Sequence, residues 1–162
     1  MFVLERSDFI ARRTIRCGPA VHDSGRWLSE EPMPSSPYPG LYGLQVFVVE
    51  DEALVAMLLE DMLADFGCVI AGIAGTLRDA QTQLSAISMI DAAILDVNLG
   101  GEFIFPVADL LAERGVPFVF STAYATPELL ERYPRSKLLR KPYAADALAR
   151  ALTEFLGSGS TH

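Results

Sequence analysis

The stretch AAILDVNLGG, residues 92–101, decides the fold of this chain, because an apolar run ends there in a carboxylate shortly before a glycine pair. This pattern is typical of a buried strand that ends in a loop at Asp96. An aspartate in that position is usually a turn residue or a helix cap. A functional role for Asp96 is favoured because three other apolar runs also end in polar groups. These are Glu50-Asp51-Glu52 after VFVV, Thr122 after FVF and Lys141 after LL.

From residue 44 onward, five strand-like runs alternate with five helix-like segments. The strands are predicted at 44–49, 69–74, 91–95, 117–121 and 137–140. The helices are predicted at 53–66, 77–84, 106–111, 127–132 and 145–156. Alternating strands and helices predict βαβ units, and nearly continuous apolar strands suit a parallel sheet that helices cover on both faces. The predicted fold class is therefore α/β.

Two of these helices have a clear apolar face. Spacings of three and four residues place one set of side chains together on the first helix: Leu54, Met57, Leu58, Met62 and Phe66. The last helix is predicted to bury Leu148, Leu152 and Phe155.

Right-handed crossovers place the carboxyl ends of parallel strands at one edge of the sheet, where open α/β sheets bind ligands. The acids, Thr122 and Lys141 are all predicted to lie at that edge. Lys141 is expected to pair with Asp96 or with an anion attached to it, and the Thr122 hydroxyl to donate to a phosphoryl oxygen. The alternatives are a surface lysine and an ordinary strand threonine. Pro142 is a candidate for a cis peptide bond that fixes a tight turn.

The acidic residues predict a metal site. Carboxylates that converge beside Asp96 would repel one another, and a hard cation such as Mg²⁺, or Mn²⁺ in its place, offsets that repulsion. Asp51 and Asp96 are the natural direct ligands, Glu50 can act through water, and the carbonyl of Asn98 can supply a third oxygen. Glu52, in contrast, is placed to begin the following helix.

Charge and composition exclude several classes of protein. The formal charge of −8 falls entirely on residues 41–162, because residues 1–40 hold five Arg and five Asp or Glu. A domain this acidic is a poor candidate for phosphate contacts with nucleic acid. No apolar run is long enough to cross a membrane, no secretory signal is recognisable, and the two cysteines fit neither a metal site nor a disulfide framework. We therefore expect a cytoplasmic protein that binds neither nucleic acid nor membranes.

Residues 1–42 differ from the rest in lacking sustained periodicity and ending in a proline-rich stretch. They predict an irregular or disordered N-terminal extension before a domain at 43–157, and 158–162 predict a flexible tail. The extension is interpreted either as a tail or partner-binding arm, or as the product of translation from an upstream start.

The motifs VFVVEDE, ILDVNL, FSTA and RKPY, in this order, resemble the receiver domain of bacterial two-component response regulators over about residues 43–157. The resemblance implies a flavodoxin-like, doubly wound (βα)5 fold with strand order 2-1-3-4-5, and phosphorylation of Asp96. By position, it also implies that Glu50 and Asp51 are the acidic metal pair, Thr122 the switch hydroxyl and Lys141 the lysine of the family.

Part of the chain is similar to a single-domain receiver subgroup named for its FATGUY motif. The similar stretches are PFVFSTAYA and GGEFIFPVADLLAERGVPF. Members often work with histidine kinases of the HWE type, some of them in general stress signalling. Most receivers carry an aromatic switch residue where this chain has Leu138. We therefore hypothesise that Tyr124 and a mobile 123–135 segment carry the response; the alternative is that Tyr124 only packs beside the site.

The sequence thus predicts a stand-alone phosphoacceptor that a sensor histidine kinase phosphorylates and that signals through a downstream phosphotransfer or regulatory protein. It would catalyse its own phosphorylation without being an enzyme that turns over substrate. One alternative is an interaction module that works without phosphorylation. A second is a Mg²⁺-dependent phosphohydrolase with an aspartate nucleophile, although Asn98 stands where such enzymes usually have a second acid.

Overall fold

A computed structural model describes residues 37–124 and 127–157, which lie within a compact unit spanning Ser35–Ser160. The rest of the predicted extension and the predicted tail lie outside the described residues. The strands are β1 Gln45–Val49, β2 Val69–Ala74, β3 Ala92–Asp96, β4 Asn98–Leu99, β5 Glu102–Phe103, β6 Phe118–Thr122 and β7 Lys137–Arg140. The α-helices are α1 Ala53–Asp65, α2 Leu77–Ala86, α3 Phe105–Glu113, α4 Pro127–Arg132 and α5 Ala145–Gly157.

The five long strands form one parallel sheet in the order β2-β1-β3-β6-β7. This arrangement confirms the predicted flavodoxin-like fold and, counting the long strands alone, the predicted order 2-1-3-4-5. The short strands β4 and β5 form a separate antiparallel hairpin that the sequence analysis did not predict. Within the described part of the chain, no helix is both long and apolar enough to cross a bilayer.

Successive residues of each central strand pack on opposite faces of the sheet, which explains why the strands are apolar throughout. Phe47 and Val49 of β1 join a core with residues of α2, α3 and α4. Val46 and Val48 join a second core with residues of α1 and α5. As predicted, Leu148 and Leu152 are fully buried, and Phe155 is partly buried against them.

The apolar face inferred for α1 is only partly the face that packs on the sheet. Met62 is partly buried against the core and Phe66 is 2% exposed, as that face requires. Leu54, Met57 and Leu58 are exposed, Leu54 to 81% of its surface. The helix also buries Ala56, Leu59 and Leu63, which the inferred face did not include. The first half of α1 is apolar on nearly every side, so residue spacing alone did not identify the packed face.

The described residues ahead of β1 also contribute to the core. Leu41 lies in a 3-10 turn at Pro39–Leu41 and is fully buried in the core on the α1 and α5 side. Its carbonyl accepts a hydrogen bond from the Cys68 thiol. Burial raises the pKa of that thiol to about 11. Cys68 is therefore a protonated, packed side chain at neutral pH.

Candidate functional site

Three carboxylates meet at the carboxyl edge of the sheet. Glu50 and Asp51 directly follow β1, Asp96 ends β3, and the parallel register pairs Val49 with Leu95 at that edge. One carboxylate oxygen from each acid lies within 4.8 Å of the others. Glu50 is 2% exposed and Asp96 is 9% exposed, whereas Asp51 faces solvent. The structure therefore brings together the three acids that the sequence indicated.

Lys141 provides the positive charge in this cluster. It follows β7, and its Nζ donates to Glu50 Oε2 at 2.8 Å and to Asp96 Oδ2 at 2.9 Å. The Lys141 backbone N–H also donates to the carbonyl of Thr122 at 2.8 Å, and the Lys141–Pro142 peptide bond is cis. The lysine side chain thus points into the acidic pocket rather than into solvent.

Burial and charge act in opposite directions on these groups. Burial raises the pKa of Glu50, and the neighbouring charge of Asp96 adds to that rise against the opposing hydrogen bonds from Lys141 and Glu52. Burial alone would lower the pKa of Lys141, but its hydrogen bonds to Glu50 and Asp96 outweigh burial and raise it. Lys141 is therefore a cation at neutral pH, and Glu50 holds a proton more readily than an ordinary glutamate.

The donor set fits a hard divalent cation. Carboxylate oxygens are the ligands that Mg²⁺ takes from proteins, usually one or two together with several waters. Asp51 and Asp96 are placed to bind the metal directly. Glu50 is the least exposed of the three acids, which suits an indirect role through water.

The β4–β5 hairpin covers one side of the acidic cluster. Asn98 donates its backbone N–H to Asp96 Oδ1 at 3.1 Å, and its side-chain oxygen accepts from the Gly101 N–H at 2.7 Å. A side chain at Gly100 would begin 3.9 Å from Asp51 Oδ2. Both glycines have positive φ, of 61° and 102°, which favours glycine at these positions. The hairpin thus brings Asn98 beside Asp96.

Of the predicted switch residues, Thr122 and Tyr124 are hydrogen-bonded to each other. Thr122 is 7% exposed, and its Oγ1 donates to the Tyr124 carbonyl and accepts from the Tyr124 N–H, at 3.0 and 3.1 Å. The Tyr124 side chain is 83% exposed, so in this structure it does not pack beside the site. Leu138 is partly buried against the core on the α2, α3 and α4 side. Residues 125 and 126 of the hypothesised 123–135 segment lie outside the described residues.

The sequence analysis missed a pair of hydroxyl groups next to the site. Tyr143, two residues after Lys141, lies with its hydroxyl 3.1 Å from the hydroxyl of Ser121, the residue before Thr122. Ser121 is fully buried, and burial raises the pKa of Tyr143, so the phenol stays protonated at neutral pH. The only sequence signal was that Ser121 and Tyr143 lie within the FSTA and RKPY motifs.

An acidic cluster with a lysine at the carboxyl edge of a 2-1-3-4-5 sheet is the arrangement that the receiver resemblance predicts. The chain is 40% identical to SdrG from Sphingomonas melonis Fr1 over 70% of this chain and 97% of that one, with a TM-score of 0.61. It is 29% identical to the response regulator receiver domain of PhyR from Erythrobacter litoralis over 76% of this chain and 97% of that one, with a TM-score of 0.62. No family model matches.

The phyllosphere-induced regulator PhyR of Methylorubrum extorquens is 30% identical over 115 residues, which are 69% of this chain. The chain belongs to the receiver-domain family of response regulators. It spans 43% of the length of the curated relatives that it matches.

Proposed function

We propose that Asp96 accepts a phosphoryl group from a sensor histidine kinase in a Mg²⁺-dependent reaction. The observation that supports this most directly is the contact of Lys141 with both Glu50 and Asp96, at 2.8 and 2.9 Å. Phosphoryl transfer depends mainly on positioning and on offsetting charge. Here the cation that offsets the charge is already hydrogen-bonded to the proposed acceptor.

In the proposed step, a carboxylate oxygen of Asp96 attacks the phosphorus of a phosphohistidine. The P–N bond breaks as the acyl phosphate forms, and the imidazole leaves with the electron pair of that bond. Lys141 pairs with the negative charge carried by the phosphoryl oxygens. A divalent cation at Asp51 and Asp96, when bound, offsets the charge that Lys141 leaves unpaired. Because Asp96 is almost fully buried, it reacts only with donors that fit the edge of the sheet.

The exposed apolar side chains of α1 support a protein as the donor. Leu54, Met57 and Leu58 lie on the first part of the helix that begins just after Asp51. Exposed apolar groups that lie together often mark protein interaction sites. We propose that the kinase, for which the FATGUY resemblance implies the HWE type, covers these residues as it presents its phosphohistidine.

We also propose that output passes through protein contacts, as in a relay or a regulator of a partner protein. Thr122 would leave the Tyr124 backbone for the phosphoryl oxygen, and the 123–135 segment would carry that change outward. A phosphate group adds roughly −1.5 to −2 charge at neutral pH, enough to reorder hydroxyl donors close by. The cycle ends with hydrolysis of the acyl phosphate rather than with turnover of a small substrate.

Incubation with Mg²⁺ and acetyl phosphate or phosphoramidate tests this function. We expect a single phosphoryl group per chain, stable in acid and labile in base, that Asp96→Asn abolishes. Asp61→Asn, which removes an exposed acid from the middle of α1, is the matched control and should label normally. An unlabelled wild-type chain would favour the interaction module, and sustained release of phosphate from small substrates would favour the phosphohydrolase.

A further inference from the structure

The loop that carries Lys141 is attached to the end of β6 at two successive residues. The Lys141 N–H donates to the Thr122 carbonyl at 2.8 Å, and the Tyr143 hydroxyl lies 3.1 Å from the Ser121 hydroxyl. Ser121 pairs with Asp96 in the register of β3 and β6, so the second attachment lies one strand away from the proposed phosphoacceptor. The loop is therefore fixed both at Lys141 and just beyond it.

These attachments differ in kind from the contacts of the lysine head group. The Lys141 ammonium is held by Glu50 and Asp96, and the contact with Asp96 changes when that carboxylate becomes an acyl phosphate. The hydrogen bond of the Ser121–Tyr143 pair joins two neutral hydroxyls and includes no atom of Asp96, so conversion of that carboxylate to an acyl phosphate would not remove either partner. It can hold the base of the lysine in place before and after the transfer.

We propose that Tyr143 is a positioning residue for phosphoryl transfer, which acts by bonding to Ser121 and thereby fixing the loop that aims Lys141 at Asp96. This inference rests on the proposed function of Asp96. The Tyr143 hydroxyl bonds to Ser121 rather than to Glu50 or Asp96, so its proposed effect on the reaction passes through the lysine. A phenylalanine would fill the same volume but could not make the bond.

Because the Ser121–Tyr143 pair is largely buried, loss of its hydrogen bond should affect the rate of phosphoryl transfer. Ser121 is fully buried and Tyr143 is partly buried, so neither hydroxyl can replace a lost partner freely with water. Loss of a neutral hydrogen bond of this kind is expected to slow a step that depends on it by about 3- to 10-fold. Small displacements of a positioned charge are sufficient for such an effect.

The test compares rates of phosphorylation by phosphoramidate at saturating Mg²⁺, followed by mass spectrometry of the intact chain. A small-molecule donor removes any effect on kinase docking. We expect Tyr143→Phe, Ser121→Ala and the double variant to be slowed by the same factor, about 3- to 10-fold, because each breaks the same bond. Tyr133→Phe is the matched control, since its hydroxyl donates to Asp109 instead and should leave the rate unchanged.

Measuring the effect of Tyr143→Phe in a Lys141→Ala background shows whether Tyr143 positions the lysine or only supports the fold. If Tyr143 acts through the lysine, then Tyr143→Phe causes no further slowing in that background. Two results would overturn the inference. One is that Tyr143→Phe slows the reaction equally with and without Lys141. The other is that the Tyr143→Phe, Ser121→Ala double variant is slowed by the product of the two single effects. A Tyr143→Phe chain that labels at the wild-type rate would also overturn it. Failure of the wild-type chain to label at Asp96 would instead reject the proposed function.

Discussion

The carboxyl edge of the sheet has two halves that are organised differently. The acid–lysine half is formed by Glu50, Asp96 and Lys141. Lys141 contacts Asp96 across a separation of 45 positions in the chain, and Glu50 across 91 positions. The threonine half, formed by Thr122 and Tyr124, is held by hydrogen bonds between residues two positions apart. The first half depends on the assembled sheet, whereas the second is a local turn at the end of one strand.

This difference assigns phosphoryl transfer to the acid–lysine half and the conformational response to the threonine half. The charges that phosphoryl transfer needs are in contact with one another before any phosphoryl group arrives. The Thr122 hydroxyl is instead bonded to the Tyr124 backbone and would have to give up those bonds to reach a phosphoryl oxygen on Asp96. We therefore expect substitutions in the acid–lysine half to change rates and metal binding, and substitutions in the threonine half to change mainly the conformational response to phosphorylation.

Lys141→Ala should have the largest effect. The substitution leaves Glu50 and Asp96 buried without their shared cation and removes the charge that would face the phosphoryl group. We expect phosphorylation by phosphoramidate to slow roughly 100-fold, as for loss of a single preorganised donor in other active sites. The rate is measured by mass spectrometry at saturating Mg²⁺.

Lys137→Ala is the control for Lys141→Ala. Lys137 is also on β7 but pairs on the surface with Glu154, so its loss should leave the rate within about 2-fold of wild type. Equal slowing in both variants would mean that net charge, and not the position of Lys141, controls the reaction.

Asp51→Asn should weaken Mg²⁺ binding at least about 10-fold and stabilise the metal-free protein. The reason is that one of three clustered carboxylates loses its charge, which relieves a repulsion of about 1 kcal/mol at these separations. Titration with Mg²⁺ and thermal unfolding in EDTA measure the two effects. Asp61→Asn, which changes charge equally but lies on the exposed side of α1, should produce neither. A destabilised Asp51→Asn chain in EDTA would contradict the repulsion argument.

The sequence allowed prediction of the sheet more fully than of its surroundings. The long strands are marked by unbroken apolar runs, and the polar residues that end them converge because parallel strands end at the same edge. The prediction was only partly right for α1. Met62 and Phe66 pack on the core, but Leu54, Met57 and Leu58 turn outward. Periodicity detects an apolar stripe but does not say which stripe the sheet will cover when most positions are apolar.

The sequence did not reveal two other features. One consists of very short strands, and the other joins residues that are far apart in the chain. The β4–β5 hairpin has only two residues per strand, too few for an alternating pattern, and Gly100-Gly101 was its only signal. Ser121 and Tyr143 lie 22 residues apart and meet only once β6 and β7 pair. Contacts of this kind depend on tertiary structure, so local sequence carries little information about them.

Mg²⁺ affinity should also depend on pH through Glu50. Burial raises the pKa of this carboxyl, so it takes up a proton at a higher pH than an ordinary glutamate. The proton competes with the cation for negative charge, and affinity should therefore fall severalfold as pH drops from about 7 to 5. Titration of wild type and Glu50→Gln over this window measures the effect. The Gln variant should show a flatter profile, and parallel profiles would assign the dependence to other groups.

Thr122→Ala should have the smallest effect on the resting protein and the most specific effect on the response. The variant loses the two hydrogen bonds between the Thr122 hydroxyl and the Tyr124 backbone, at a cost of about 0.5–1.5 kcal/mol for each bond in the free energy of unfolding. Phosphorylation should slow less than in Lys141→Ala, because the lysine and the acids stay in place.

Amide exchange across residues 123–135, with and without beryllofluoride, measures the contribution of the threonine half. In the wild-type chain, the hydroxyl should move from the Tyr124 N–H to the phosphoryl mimic, so exchange at Tyr124 should increase. In Thr122→Ala, that N–H has no hydroxyl to lose, and the mimic should change its exchange much less. Identical exchange in the wild-type chain with and without the mimic would mean that the turn does not open, and that the response leaves the site through the acid–lysine half.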